Sequence, residues 1–167
     1  MAKRDHIDRF LEQLAPIEGM DYDVEGIVER ITGIAKRINR GMESTLAEFD
    51  LTLGEWKVLG MLRNQGVTRC DTPGALAAGL ELSSGAMTNR IDRLEEAGLV
   101  RRVADPDDRR KVVVELTDEG NAAYEGAVSA QARKEQFFAS ALTKPEQERL
   151  NVLLRKLMRA FETGERR

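Results

Sequence analysis

Three features of the 167-residue chain predict a mainly α fold. Apolar residues recur at helical spacing over most of its length. Three short helical segments follow one another with tight connections at 52–98. One short β-branched hairpin interrupts the helices, with Asp105-Pro106 as its turn signal. A hairpin directly after three short helices reads as a winged helix-turn-helix. The helices on either side of it read as a second, helical lobe that pairs two copies of the chain.

Residues 1–18 carry Ile7, Phe10, Leu11 and Leu14 at spacings of three and four, and Pro16 and Gly19 end that pattern. A long helix follows, with an apolar stripe of Val24, Ile27, Val28, Ile31, Ile34, Ala35, Ile38, Met42, Leu46 and Phe49. Its length of roughly 40 Å exceeds what one face of a small core needs. A partner subunit is the expected reason for such a stripe.

The next helix, 52–63, opens with Thr52 and Glu55 as a capping box and stops at Gly66. Thr72 caps a short helix with Pro73 at its first position. Ser83 and Ser84 cap a third helix, which Gly98 closes as a left-handed cap. Leu99–Val103 and Val112–Leu116 form the hairpin. Thr117 caps a helix reaching about Leu142, and Thr143 with Glu146 caps the last, which carries Leu150, Leu153, Leu154, Leu157 and Phe161. The organisation expected is 1–50 and 117–167 for the helical lobe and 51–116 for the winged helix.

Composition narrows the function. Cys70 is the only cysteine and His6 the only histidine, so no internal disulfide and no cysteine-based zinc site can form. No phosphate loop, metal-ligand cluster or nucleophile constellation is present, and an enzyme is not expected; no cofactor is implied. No apolar run is long enough to cross a bilayer, and the expected compartment is the cytoplasm. The net charge is −3, so nucleic-acid binding has to rest on where the charges stand. Residues 83–111 hold seven Lys/Arg against six Asp/Glu, whereas the remainder holds nineteen against twenty-three.

In the third helix Met87, Ile91 and Leu94 form the buried face by spacing, and Thr88, Asn89 and Arg93 turn away from it. Arginine can grip guanine or phosphate, asparagine can pair with adenine, and threonine can touch phosphate or a thymine methyl. Ser83 and Ser84 stand where helix N–H groups favour a phosphate. The other reading of this face is a solvated helix surface with capping serines. At the hairpin tip, Arg109, Arg110 and Lys111 suit a minor groove and its phosphates, against the alternative of a solvated charged turn.

These residues carry a resemblance. The pattern Asp108, Arg110, Val114, Leu116, Thr117 and Gly120, after "SSGAMTNRIDRLEEAGLVRR", resembles the wing and recognition helix of the MarR family of bacterial transcription regulators. The resemblance covers nearly the whole chain. It implies a DNA-binding homodimer on a pseudo-palindromic site, with Arg110 inserted in the minor groove and Asp108 holding it. Repression is the default direction.

The extra N-terminal helix and "NRI" at Asn89–Ile91 look like the urate-responsive branch. That branch has a Trp in its first helix, a Trp-Asp pair in the helix matching 52–63, and arginines matching Arg90 and Arg102. Here His6 lies in the first region and the pair is Trp56-Lys57, an acid replaced by a base. A positive pocket of Lys57, Arg90 and Arg102, beside Trp56, favours a citrate-like carboxylate over urate. Arg90 is placed by spacing on the face of Met87 and Leu94, where a buried arginine needs an anionic partner. That partner is either an internal carboxylate or a ligand. Trp56 and Lys57 each have a plainer reading as core and surface. Two rivals stand beside the ligand reading: oxidant sensing through Cys70, set in a loop next to Arg69, and a winged-helix protein-interaction adaptor.

Overall fold

A computed structural model describes residues 4–14, 18–66, 68–105, 108 and 111–164. Seven helices and three strands are formed among them: α1 His6–Gln13, α2 Tyr22–Ala47, α3 Leu53–Asn64, β1 Cys70–Asp71, α4 Pro73–Gly79, α5 Ser84–Glu96, β2 Val100–Ala104, β3 Val112–Leu116, α6 Asp118–Ala139 and α7 Lys144–Gly164. None of these helices is long and apolar enough to cross a membrane.

Local chemistry sets most of the boundaries. Asp21, Thr52, Thr72, Ser83 and Thr117 each accept a hydrogen bond from a first-turn N–H, which satisfies donors that the helix leaves free. The Thr52–Glu55 capping box is reciprocal. Gly66 and Gly98 adopt the left-handed conformation at φ 70° and 72°. Gly98 follows the end of α5 and lets the Leu99 N–H turn back to the Leu94 carbonyl at 2.8 Å.

The sheet runs in the order β1-β3-β2, all antiparallel. Its first strand corrects the sequence reading, which placed Cys70 in a loop. Cys70 pairs with Glu115 and Asp71 with Val114. Two residues are too few for an alternation signal. Arg69, at φ 46°, turns its carbonyl to the Leu116 N–H at 2.9 Å and starts the pairing. β2 begins one residue later than expected, and α6 ends at Ala139, where Ser140 caps it, rather than near Leu142.

The core sits between α3, α4, α5, the sheet and the start of α6. Val58, Leu59, Leu62, Leu76, Met87, Ile91, Leu94, Val100, Val114 and Leu116 fill it, joined by Leu46 from the end of α2. The wing connects to α6 through a tight backbone corner. Thr117 donates its hydroxyl to the Gly98 carbonyl at 2.8 Å and accepts from the Gly120 N–H at 2.9 Å.

The stripe of α2 has two fates. Leu46 is buried and Met42 and Phe49 pack on the core. Val24, Ile27, Val28, Ile31, Ile34 and Ile38 stay exposed, and α7 buries none of its residues. Ile34 and Ile38 border Gln131, Lys134 and Phe138 of α6, and all six of these α2 residues stay 38–52% exposed. α6 packs on α2 through a polar contact: the hydroxyl of buried Thr45 lies 3.0 Å from Gln131 Oε1 and accepts from the Lys134 ammonium at 2.8 Å. At the other end, Arg30 of α2 grips Asp5 and Asp8 and docks α1.

Candidate nucleic-acid interface

α5 is held by its apolar side. Met87, Ile91 and Leu94 are buried, as the spacing predicts. Thr88, Asn89 and Arg93 point outward, Arg93 with 70% of its side chain exposed. Ser83 spends its side-chain oxygen on the Ala86 N–H, and Ser84 is the exposed first residue of the helix. The Thr88 hydroxyl donates to the Ser84 carbonyl at 2.9 Å, and the residue is exposed. Asn89 and Arg93, one turn apart, line an open depression with Ala86, Arg90 and Asp92.

At the hairpin, Lys111 is exposed and lies 3.7 Å from the Asp108 carboxylate. The turn is closed by the Lys111 N–H donating to the Asp108 carbonyl at 2.8 Å and the Asp105 N–H to the Lys111 carbonyl at 3.0 Å. Arg109 and Arg110 lie outside the described residues. The strands behind them are tied by Arg101, which faces its register partner Glu115 with a two-pronged contact at 2.9 and 3.0 Å. That guanidinium holds the Glu115 carboxyl below the usual carboxylate range.

The four residues expected to line a ligand pocket are not gathered into one. Arg90 is half-buried, and it opens on the same depression as Asn89 and Arg93 rather than lying wholly on the face of Met87 and Leu94. Its guanidinium lies over Gly54 of α3, where a Cβ would come within 2.6 Å of it. Among the described residues it has no carboxylate partner, so the internal salt bridge is not formed. Lys57 stands three residues beyond Gly54 on α3 and is exposed. Trp56 turns elsewhere: successive helix positions differ by about 100°, and its ring stacks on Tyr124 of α6 with centroids 5.3 Å apart. Its indole N–H is buried without a partner among the described residues.

Arg102 has partners within the fold. Its guanidinium is taken up by Asp92 and Glu95 of α5, and its own N–H donates to Glu95 at 3.0 Å. It ties β2 to the helix. Spacing could not show this, because both acids belong to a different element. Glu55 was read only as a cap. It is 6% exposed, and its second oxygen faces Arg93 at 3.6 Å.

The sequence profile of the MarR family matches residues 51–112. The chain is 30% identical over 139 residues to the HTH-type transcriptional regulator PecS of Dickeya dadantii, covering 82% of this chain and 84% of that one. It is 32% identical over 126 residues to the multiple antibiotic resistance protein MarR of Escherichia coli, covering 75% and 85%. YusO of Bacillus subtilis, at 24% identity, has the same fold with a TM-score of 0.76 over 86% of this chain and 99% of that one. A cysteine-to-serine mutant of MarR from Escherichia coli, solved with operator DNA, superposes at a TM-score of 0.59 with 30% identity, over 81% and 95%.

Proposed function

The chain belongs to the MarR family of DNA-binding transcription regulators, and on that premise we propose that it is a repressor that binds a pseudo-palindromic operator as a homodimer and is released by a small anionic carboxylate. One observation carries the DNA reading. α5 buries Met87, Ile91 and Leu94 while Thr88, Asn89 and Arg93 face outward beside a two-stranded wing. That is the arrangement in which a helix can enter a major groove while a hairpin reaches the neighbouring minor groove. Ser83, Ser84 and Lys111 flank it as phosphate contacts, and Arg109 and Arg110 are the residues assigned by the sequence to the minor groove.

The exposed apolar faces of α2 and α7 support the homodimer. Segments 1–50 and 117–167 form the dimerisation lobe, and 51–116 the DNA-binding unit. Two such units would present their α5 helices about 34 Å apart, one turn of DNA. The ligand reading rests on Arg90, a half-buried cation without a carboxylate partner among the described residues, with exposed Lys57 on the helix it covers. An anion there would act on α5 directly.

The test is fluorescence anisotropy of the DNA upstream of this protein's own gene, titrated with protein, with and without citrate. Binding that weakens steeply with salt and is released by citrate supports the whole proposal. Binding that citrate leaves untouched removes the carboxylate and keeps the regulator. Absence of sequence-specific binding to this or to any selected DNA rejects the operator reading in favour of a protein-interaction adaptor.

A further inference from the structure

Glu55 is a buried carboxylate in the first turn of α3, and its two oxygens have different partners. Oε2 accepts from the Thr52 N–H at 2.8 Å and from the Thr52 hydroxyl at 2.7 Å. This completes the cap, and an amide would serve there equally well. Oε1 takes no part in the cap. It faces Nη1 of Arg93 on α5 at 3.6 Å, across a cleft also lined by Leu51 and Leu94. A buried carboxylate costs more to desolvate than an amide, and a neighbouring cation offsets that cost. The cation in question is an arginine on the surface assigned to DNA.

We propose that Glu55 is a positioning residue for DNA recognition: it holds one side of the Arg93 guanidinium so that the other side is aimed at the groove. The proposal rests on the operator reading above. An arginine side chain loses much rotamer freedom when it is fixed on a base edge, and a tether made in the free protein removes part of that loss. The tether also neutralises Arg93 in part before DNA arrives, which lowers its attraction to any phosphate. Both effects act on discrimination. Sequence-specific binding gains from the preset direction, and non-specific binding loses from the masked charge.

The substitution Glu55→Gln separates the two oxygens' tasks, because the amide oxygen still accepts from Thr52 while the charge facing Arg93 is gone. The assay measures binding to a duplex that the wild-type protein selects from a randomised pool and to a scrambled duplex of equal length. The ratio of the two affinities is expected to fall about tenfold in Glu55→Gln, the scale of one directed arginine–base contact. Arg93→Ala is expected to lower the ratio as well, and adding Glu55→Gln to it should change little further. An unchanged ratio in folded Glu55→Gln, or two effects that simply add, overturns the positioning role. Circular dichroism checks the fold. Should Glu55→Gln lose helicity, Glu55→Asp puts the same question, since Asp8 closes the equivalent box of α1 with the shorter side chain; a ratio unchanged there overturns the role too. A wild-type protein that selects no sequence overturns the operator reading and the positioning role with it, an outcome distinct from a selective wild type and an equally selective Glu55→Gln.

Discussion

Gly120 and Leu99 meet backbone to backbone: a Cβ on Gly120 would stand 2.0 Å from the Leu99 carbonyl oxygen. The same carbonyl accepts from the Thr117 N–H at 3.2 Å, so the start of α6 is pinned to the exit of α5. The Leu116, Thr117, Gly120 part of the wing pattern therefore has a steric reason. Gly120→Ala forces these segments apart and should cost about 2 kcal/mol or more, the scale of an overpacked site that cannot relax cheaply. Urea denaturation measures it, and a cost below about 0.5 kcal/mol would show that the corner yields easily.

Arg102→Ala removes the tie between β2 and α5. Asp92 and Glu95 are 50% and 38% exposed, so water recovers them and the expected loss of stability is only about 1 kcal/mol. DNA affinity should fall further than that stability loss suggests, because the angle between wing and helix is no longer held. The response to citrate, read in the DNA-bound fraction that remains, should persist, since the guanidinium is already occupied. A lost response would return Arg102 to the ligand site.

Lys57→Glu reverses an exposed charge on α3, three residues beyond the Gly54 that Arg90 covers, so the fold and DNA binding should be spared. Release by citrate should disappear. Anisotropy with intact citrate release in this variant would remove Lys57 from the ligand site.

Asp5 is held by Arg30, whose guanidinium lowers its carboxyl from the ordinary 3.8 to about 2, helped by the Asp8 N–H. The folded value is depressed, so this contact stabilises the docked α1 fully above the unfolded value near 3.8. It is lost as pH falls through about 2. Arg30→Ala should return the Asp5 titration toward 3.8, as read by carboxyl NMR shifts. A titration that stays near 2 would assign the shift to the cap alone.

Thr45→Val deletes a hydroxyl that lies 2.9 Å from the Gly41 carbonyl and 3.0 Å from Gln131 Oε1 and accepts from Lys134. A buried acceptor stripped of its partner costs about 1–3 kcal/mol. Thermal or urea unfolding should register that loss, and an equally stable variant would mean that Gln131 finds water.

Much of the fold was legible in the order of residues. Capping residues, left-handed glycines and the buried triad of α5 are local properties, set within one or two helical turns, and they fall where the spacing places them. The stripe of α2 was legible too, although its cover was not, since the residues that cover it lie in another copy of the chain under the proposed dimer. β1 was missed because a two-residue strand has no period, and its existence depends on β3 lying alongside.

The candidate site divides the same way. The order of residues established that Thr88, Asn89 and Arg93 share a polar side of α5, whereas it grouped Trp56 with Lys57, which the fold turns apart. Only the packing of elements decided what the charged groups touch: Arg102 on Asp92 and Glu95, Arg90 over Gly54, Glu55 on Arg93. Side-chain direction along a helix is periodic and can be read from one segment. An ion pair between segments is a distance between elements, and that distance exists only once the core between them is filled.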